Sequence, residues 1–140
     1  MDHLALISET CMLQHVRAAA RRVTERYESA LRPTGLTASQ FTTMVAVARL
    51  KDPAITRLAE LLAMDRTTLT RVIAPLQRRG LLAQTQDEKD KRIRRLSLTD
   101  DGSSLLSEAE EYWDKAQSQM LEKIPPEVWA ELRGQLAKLT

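Results

Sequence analysis

The stretch Met64-Asp65-Arg66-Thr67-Thr68-Leu69-Thr70-Arg71, with Asp87-Glu88-Lys89-Asp90-Lys91-Arg92-Ile93-Arg94 beyond Gly80, decides how this chain is read. Asp65 stands where a helix N-cap belongs, and Leu69, Val72 or Ile73, and Leu76 follow at steps of three and four. The spacing predicts a helix that buries this stripe and ends at Gly80. Its other face shows Thr67, Thr70, Arg71 and Arg78. Pro75 inside it removes one backbone bond, so a kink is expected. After Gly80 the period changes to alternation, with strands over Leu81-Leu82-Ala83-Gln84-Thr85 and Ile93-Arg94-Arg95-Leu96-Ser97-Leu98 and a charged connection from Asp87 to Arg92 between them. Upstream, Ala63-Met64 joins the helix to a shorter one that Thr56 can cap and that carries Leu58, Ala59, Leu61 and Leu62. Two short helices and a cationic hairpin, in that order, are a helix-turn-helix with a wing.

Working outward, Thr37 and Gln40 have capping-box spacing ahead of Phe41, Met44, Val45 and Val47, which predicts a helix ending near Leu50 before Asp52-Pro53. Before it, Leu13, Val16, Ala20, Val23, Tyr27 and Leu31 form one stripe of a long amphipathic helix over about 4–31, stopped by Pro33 and Gly35. Thr99 with Asp100 and Asp101 opens a second long helix through Leu105, Ala109, Tyr112 or Trp113, Ala116 and Met120 to Ile124. Pro125-Pro126 ends it, and Val128, Trp129, Leu132, Leu136 and Leu139 give a last helix an apolar face. The fold class is mainly α with a small β-hairpin. The expected organisation is a winged helix-turn-helix lobe over 36–99 within one domain of 1–140, with helical ends over 1–35 and 100–140.

The chain has 140 residues, a net charge of +2, 43% hydrophobic and 29% charged residues, a composition of globular proteins. The charge is uneven: residues 54–98 carry +5 and residues 99–140 carry −5. A basic middle suits a polyanion. Met1-Asp2-His3-Leu4 lacks a basic segment followed by a long apolar run, and no stretch approaches a membrane span, so a cytoplasmic location is expected. Cys11 is the only cysteine, which excludes an intrachain disulfide and leaves no thiol cluster for a structural metal. Four glycines without a phosphate loop, and two histidines, His3 and His15, without nameable partners, argue against an enzyme, a metal centre or a cofactor.

In winged helix-turn-helix motifs the second helix enters the major groove with its N-terminal residues near base edges, which singles out Arg66, Thr67, Thr68, Thr70 and Arg71. Arg forks onto guanine, and Thr bonds base edges or touches a thymine methyl. Lys89, Lys91, Arg92 and Arg94 on the hairpin would reach phosphates or the minor groove. Asp90, two residues before Arg92, is placed to fix its guanidinium.

Several of these segments resemble the MarR family. Leu36-Thr37-Ala38-Ser39-Gln40-Phe41 is similar to that family's second helix. Leu58-Ala59 with Met64 to Arg71 resembles its helix-turn-helix, Arg79-Gly80-Leu81 the turn after it, Asp87-Glu88-Lys89-Asp90-Lys91-Arg92 its wing, and Leu98-Thr99-Asp100-Asp101-Gly102 the segment that follows. The matches lie in order over 36–102. The resemblance implies a homodimer joined by its first and last helices, binding an inverted-repeat DNA operator. It further implies repression relieved by a small effector, of which a phenolic compound is one kind, or by an oxidant.

Two alternatives accompany that reading. Relatives of the OhrR type sense peroxide through a cysteine of the first helix, which makes Cys11 a candidate redox residue with His15 one turn away. Against it, Cys11 lies about 140° from Val16 on a continuous helix, and a small buried or interface cysteine is the plainer role. An aromatic effector would find Met12, His15, Met44, Tyr112 and Trp113 as candidate pocket residues, although core packing is their ordinary use. Winged helices also serve as protein-interaction modules, but such a wing tends to be apolar or mixed, whereas this one projects four cations around Asp90.

Overall fold

The computed structural model describes residues 2–140. The chain begins with two helices where the sequence predicts one: α1 (His3–Thr10) and α2 (Met12–Leu31) part at Cys11, whose ψ of 111° is extended. Thr10 and Cys11 are weak helix formers. The Thr10 hydroxyl also donates back to the Leu6 carbonyl at 2.7 Å, a bond that bends helices. After α2, a single tight turn over Arg32–Thr34 carries Pro33, and Gly35 at φ 70° redirects the chain.

Helix α3 (Ala38–Leu50) has both halves of the predicted capping box: the Gln40 amide donates to Thr37 Oγ1 at 3.2 Å, and the Thr37 amide donates to Gln40 Oε1 at 2.9 Å. Helix α4 (Ile55–Leu61) starts one residue before Thr56, so Thr56 lies in its first turn and Ala54 is the N-cap. The start is set by the wing, because Ala54 pairs with Arg95 and the Pro53 carbonyl accepts from the Leu96 amide at 3.0 Å. Asp65 caps α5 (Arg66–Arg78) as predicted, accepting from the Thr68 amide at 2.7 Å. The helix continues through Pro75 for a further turn. Gly80, at φ 71°, ends this segment, and the Leu81 amide closes it on the Leu76 carbonyl at 2.9 Å.

The hairpin pairs β1 (Leu82–Gln86) with β2 (Arg94–Leu98), antiparallel, from Leu82↔Leu98 to Gln86↔Arg94. Two helices complete the chain, α6 (Asp100–Lys123) and α7 (Pro126–Leu136), the last followed by one tight turn. No helix among the described residues is long and apolar enough to cross a membrane.

One hydrophobic core unites α3, α4, α5, the hairpin and α6. Met44, Leu58, Leu69, Leu76 and Leu96 are fully buried in it, and Ile73, rather than Val72, completes the inner stripe of α5. Each such leucine contributes about 2 kcal/mol. On α6, Leu106 and Ala109 are buried, while Leu105, Tyr112 and Trp113 pack half-buried against the core. Leu61 on α4 is exposed. Helices α1 and α7 bury no residue at all, and α2 buries only Leu31. Leu4, Ile7, Leu13, Val16, Val128 and Leu132 instead face solvent.

The N-terminus of α6 sits on the root of the hairpin: the Thr99 amide donates to the Leu81 carbonyl at 3.1 Å. A Cβ at Gly102 would lie 2.1 Å from that same carbonyl oxygen, so only glycine fits. Gly102→Ala is expected to lower stability by about 2–3 kcal/mol, read from denaturant unfolding; a loss near zero would mean that the helix and hairpin can separate freely.

Candidate nucleic-acid interface

Asp65 starts α5 so that Arg66, Thr67, Thr68, Thr70 and Arg71 occupy its first turns, and all five are exposed while Leu69 between them is buried. The Thr68 amide holds the Asp65 carboxyl below its usual range, ahead of smaller contributions that include the charge of Arg71. The Thr70 hydroxyl donates to the Arg66 carbonyl at 2.8 Å, which fixes its rotamer and leaves the methyl free for an outside contact.

On the hairpin, Lys89, Lys91, Arg92 and Arg94 are exposed. Asp90 grips Arg92 twice, with Nε donating to Oδ1 at 3.1 Å and Nη2 to Oδ2 at 3.0 Å. The Arg92 side chain is nevertheless 90% exposed. Two of its five N–H donors are occupied by Asp90, which leaves three for other acceptors.

Sequence reasoning missed the residues that hold the tip in place. Asp87 accepts from the Lys89 and Asp90 amides at 3.1 and 3.0 Å and from Arg95 Nε at 2.7 Å. Arg95 in turn donates through Nη1 to the Asp52 carbonyl at 3.1 Å. The wing is thus tied to the loop between α3 and α4. An Asp followed by a short polar run is an Asx-turn signal and could have flagged Asp87. Nothing in the sequence points Arg95 at a carbonyl so far upstream.

The five candidate pocket residues are not gathered. Met44 is fully buried in the core and Met12 is exposed. Tyr112 and Trp113 lean on the core from α6. Only His15 reaches a cavity of about 440 Å³, an apolar groove between α2, α6 and α7 that Val16, Val23, Met120, Trp129 and Leu132 also line. Inside that groove the Tyr27 hydroxyl donates to Gln117 Oε1, and burial pushes the Tyr27 phenol up. Cys11 is half-buried at the joint between α1 and α2. The His15 ring is directed at the backbone there, with Nδ1 donating to the Cys11 carbonyl at 2.9 Å. Because the helix breaks at Cys11, the angular offset from Val16 expected of a continuous helix does not hold.

Known proteins share this fold. The MarR family profile matches residues 36–94. The transcriptional regulator MosR of M. tuberculosis, solved in complex with DNA, superposes with a TM-score of 0.83 and 32% identity over 93% of each chain. The chain belongs to the MarR family. The repressor CouR, bound to a 23-mer DNA duplex, matches this MarR-family chain with a TM-score of 0.85 and 25% identity over 95% of this chain and 94% of that one. The organic hydroperoxide resistance transcriptional regulator of Bacillus subtilis is 28% identical over 108 residues, which cover 77% of this chain and 72% of the relative.

In this MarR-family wing the Arg95 guanidinium, ahead of the Asp90 and Lys89 amides, holds the Asp87 carboxyl below its usual range. For Asp90 the Arg92 side chain leads, followed by the Arg92 amide. A carboxylate held low in the folded chain stabilises fully above its unfolded value, about 3.9 for Asp, and loses that contribution as pH falls through the lower folded value. Protection of the Lys89, Asp90 and Arg92 amides against hydrogen exchange should therefore persist at about pH 5 and be lost only as the pH falls below the ordinary carboxylate range. Undiminished protection in acid would show that these carboxylates do not order the tip.

Proposed function

We propose that this chain is a cytoplasmic transcriptional regulator that binds an inverted-repeat operator as a homodimer and represses transcription from it. The observation that carries the proposal is Arg92: a guanidinium held by two charge-assisted bonds yet 90% exposed is a cation ordered in advance for an anion outside the chain. Fixing it beforehand removes part of the entropy lost on binding. Arg66, Thr67 and Arg71 on α5 supply base-edge contacts, and Lys89, Lys91 and Arg94 add phosphate contacts. The DNA-bound relatives support the same reading.

The twin subunit accounts for the terminal helices. Leu4, Ile7, Leu13, Val16, Val128 and Leu132 leave apolar side chains exposed on α1, α2 and α7, and Val16 and Leu132 also line the apolar groove, as expected of a face that a second copy covers. Release by a small aromatic effector belongs to this proposal, and titrating the DNA complex with phenolic acids and, separately, with a hydroperoxide tells ligand release from oxidation at Cys11.

The test is selection of bound duplexes from a random pool, followed by affinity measurements across salt concentrations. An inverted repeat is expected. Arg92→Ala should weaken binding about equally on all sequences and lower the slope of log affinity against log salt by about one; unchanged affinity would remove the wing from the interface. Leu132→Glu should yield a monomer by sedimentation while the lobe stays folded, and a dimer that survives it would place the subunit contact elsewhere.

A further inference from the structure

Arg79 is the residue on which α5 ends, and its side chain turns away from the recognition helix. Nη2 donates to the Thr34 carbonyl at 3.1 Å and Nη1 to the Gly35 carbonyl at 3.3 Å. Those two carbonyls form the knee between α2 and α3. Among the described residues, no other side-chain hydrogen bond joins α5 to a part of the chain that precedes its cap.

The knee is stiff enough to transmit that grip. Thr34 is buried, its hydroxyl donates to the Leu31 carbonyl at 2.6 Å, and the same oxygen accepts from the Leu36 amide at 3.2 Å. On the other side Glu28 of α2 accepts from the Ala38 amide, at the start of α3, at 3.1 Å. Gly35 holds φ at 70°, and the guanidinium lies against it, with Nη1 at 3.5 Å from where a Cβ would stand. The carbonyls at a helix C-terminus carry partial negative charge that favours a cation. A planar guanidinium can satisfy two successive carbonyls at once, which a compact ammonium does less well.

We propose that Arg79 is a positioning residue that fixes the angle between the recognition helix and α2, and through it the distance between the two recognition helices of the dimer. It selects operator half-site spacing rather than base sequence. Helix α2 has 20 residues, so it spans about 30 Å, and a turn of a few degrees at its knee moves the far body by an ångström or two. The inference rests on the reading of the chain as a DNA-binding homodimer.

The experiment uses the full-length protein and duplexes carrying the selected half-sites with the spacer lengthened or shortened in steps of one base pair. Arg79→Met and Arg79→Gln are compared with Arg79→Lys and the wild type. The wild type should bind its best spacer much more tightly than the neighbouring ones. Arg79→Met and Arg79→Gln should reduce that ratio by about tenfold, chiefly through loss on the best spacer, and Arg79→Lys should recover part of it. The salt slope should stay at the wild-type value in every variant.

A spacer ratio unchanged in both uncharged variants overturns the proposal. So does a loss equal on all spacers, whether it comes with a salt slope lower by about one, the mark of a phosphate contact, or with a fall in melting temperature alone. A wild type that binds no duplex, or binds without spacer preference, would instead sink the homodimer reading on which the inference stands. Arg79→Gln carries the decision should Arg79→Met fail to fold.

Discussion

Leu96 is the residue around which the lobe is organised. It sits in the middle of β2, is fully buried, and shares its core with Leu69 and Leu76 of α5 and Met44 of α3. The two elements that carry the exposed cations are therefore not separate appendages, since each is held by the same buried leucines. A two-stranded hairpin alone in water is marginal. Here the insertion of Leu96, the bridge from Ala54 to Arg95 and the bond from the Leu96 amide to the Pro53 carbonyl supply what the hairpin lacks.

Polar chemistry then works at the edge of that core. Asp87 gathers two amides and one guanidinium, Asp90 gathers one guanidinium twice, and both carboxyls are held low by those donors. The pairs are partly or largely exposed, so their contribution to global stability is modest. What they fix is shape. The chain from Asp87 to Arg92 would otherwise be a solvated loop of charges, and it becomes instead a presented surface with Arg92 in a defined place.

Most of the fold was legible because its local signals agree with its packing. Thr37 with Gln40, Asp65, Gly80 and Thr99 each mark an element end that the structure confirms, and the step from helical period to alternation located the hairpin. The failures share a cause. Cys11 breaks the helix expected over about 4–31 ahead of its apolar stripe, and Thr56 loses its cap position to a contact with the wing from some forty positions downstream. Periodicity reports which face is apolar and is silent about backbone angles. It also cannot separate Met44 in the core from Met12 in solvent, since both are apolar residues on helices. Of the candidate interface, the cations were visible in the sequence; the anchoring of the wing by Asp87 and Arg95 was not, because it depends on a carbonyl at Asp52.

The close approach of Gly102 to the Leu81 carbonyl has a mechanical meaning. Where a side chain separates two elements, rotamer changes can absorb a small tilt before it is passed on. Here backbone meets backbone, and the Thr99 amide bonds the same carbonyl. The joint has no backlash. Whatever tilts α6 along its length must move the root of the hairpin with it, so the long helix acts as a rigid pushrod on the reading head.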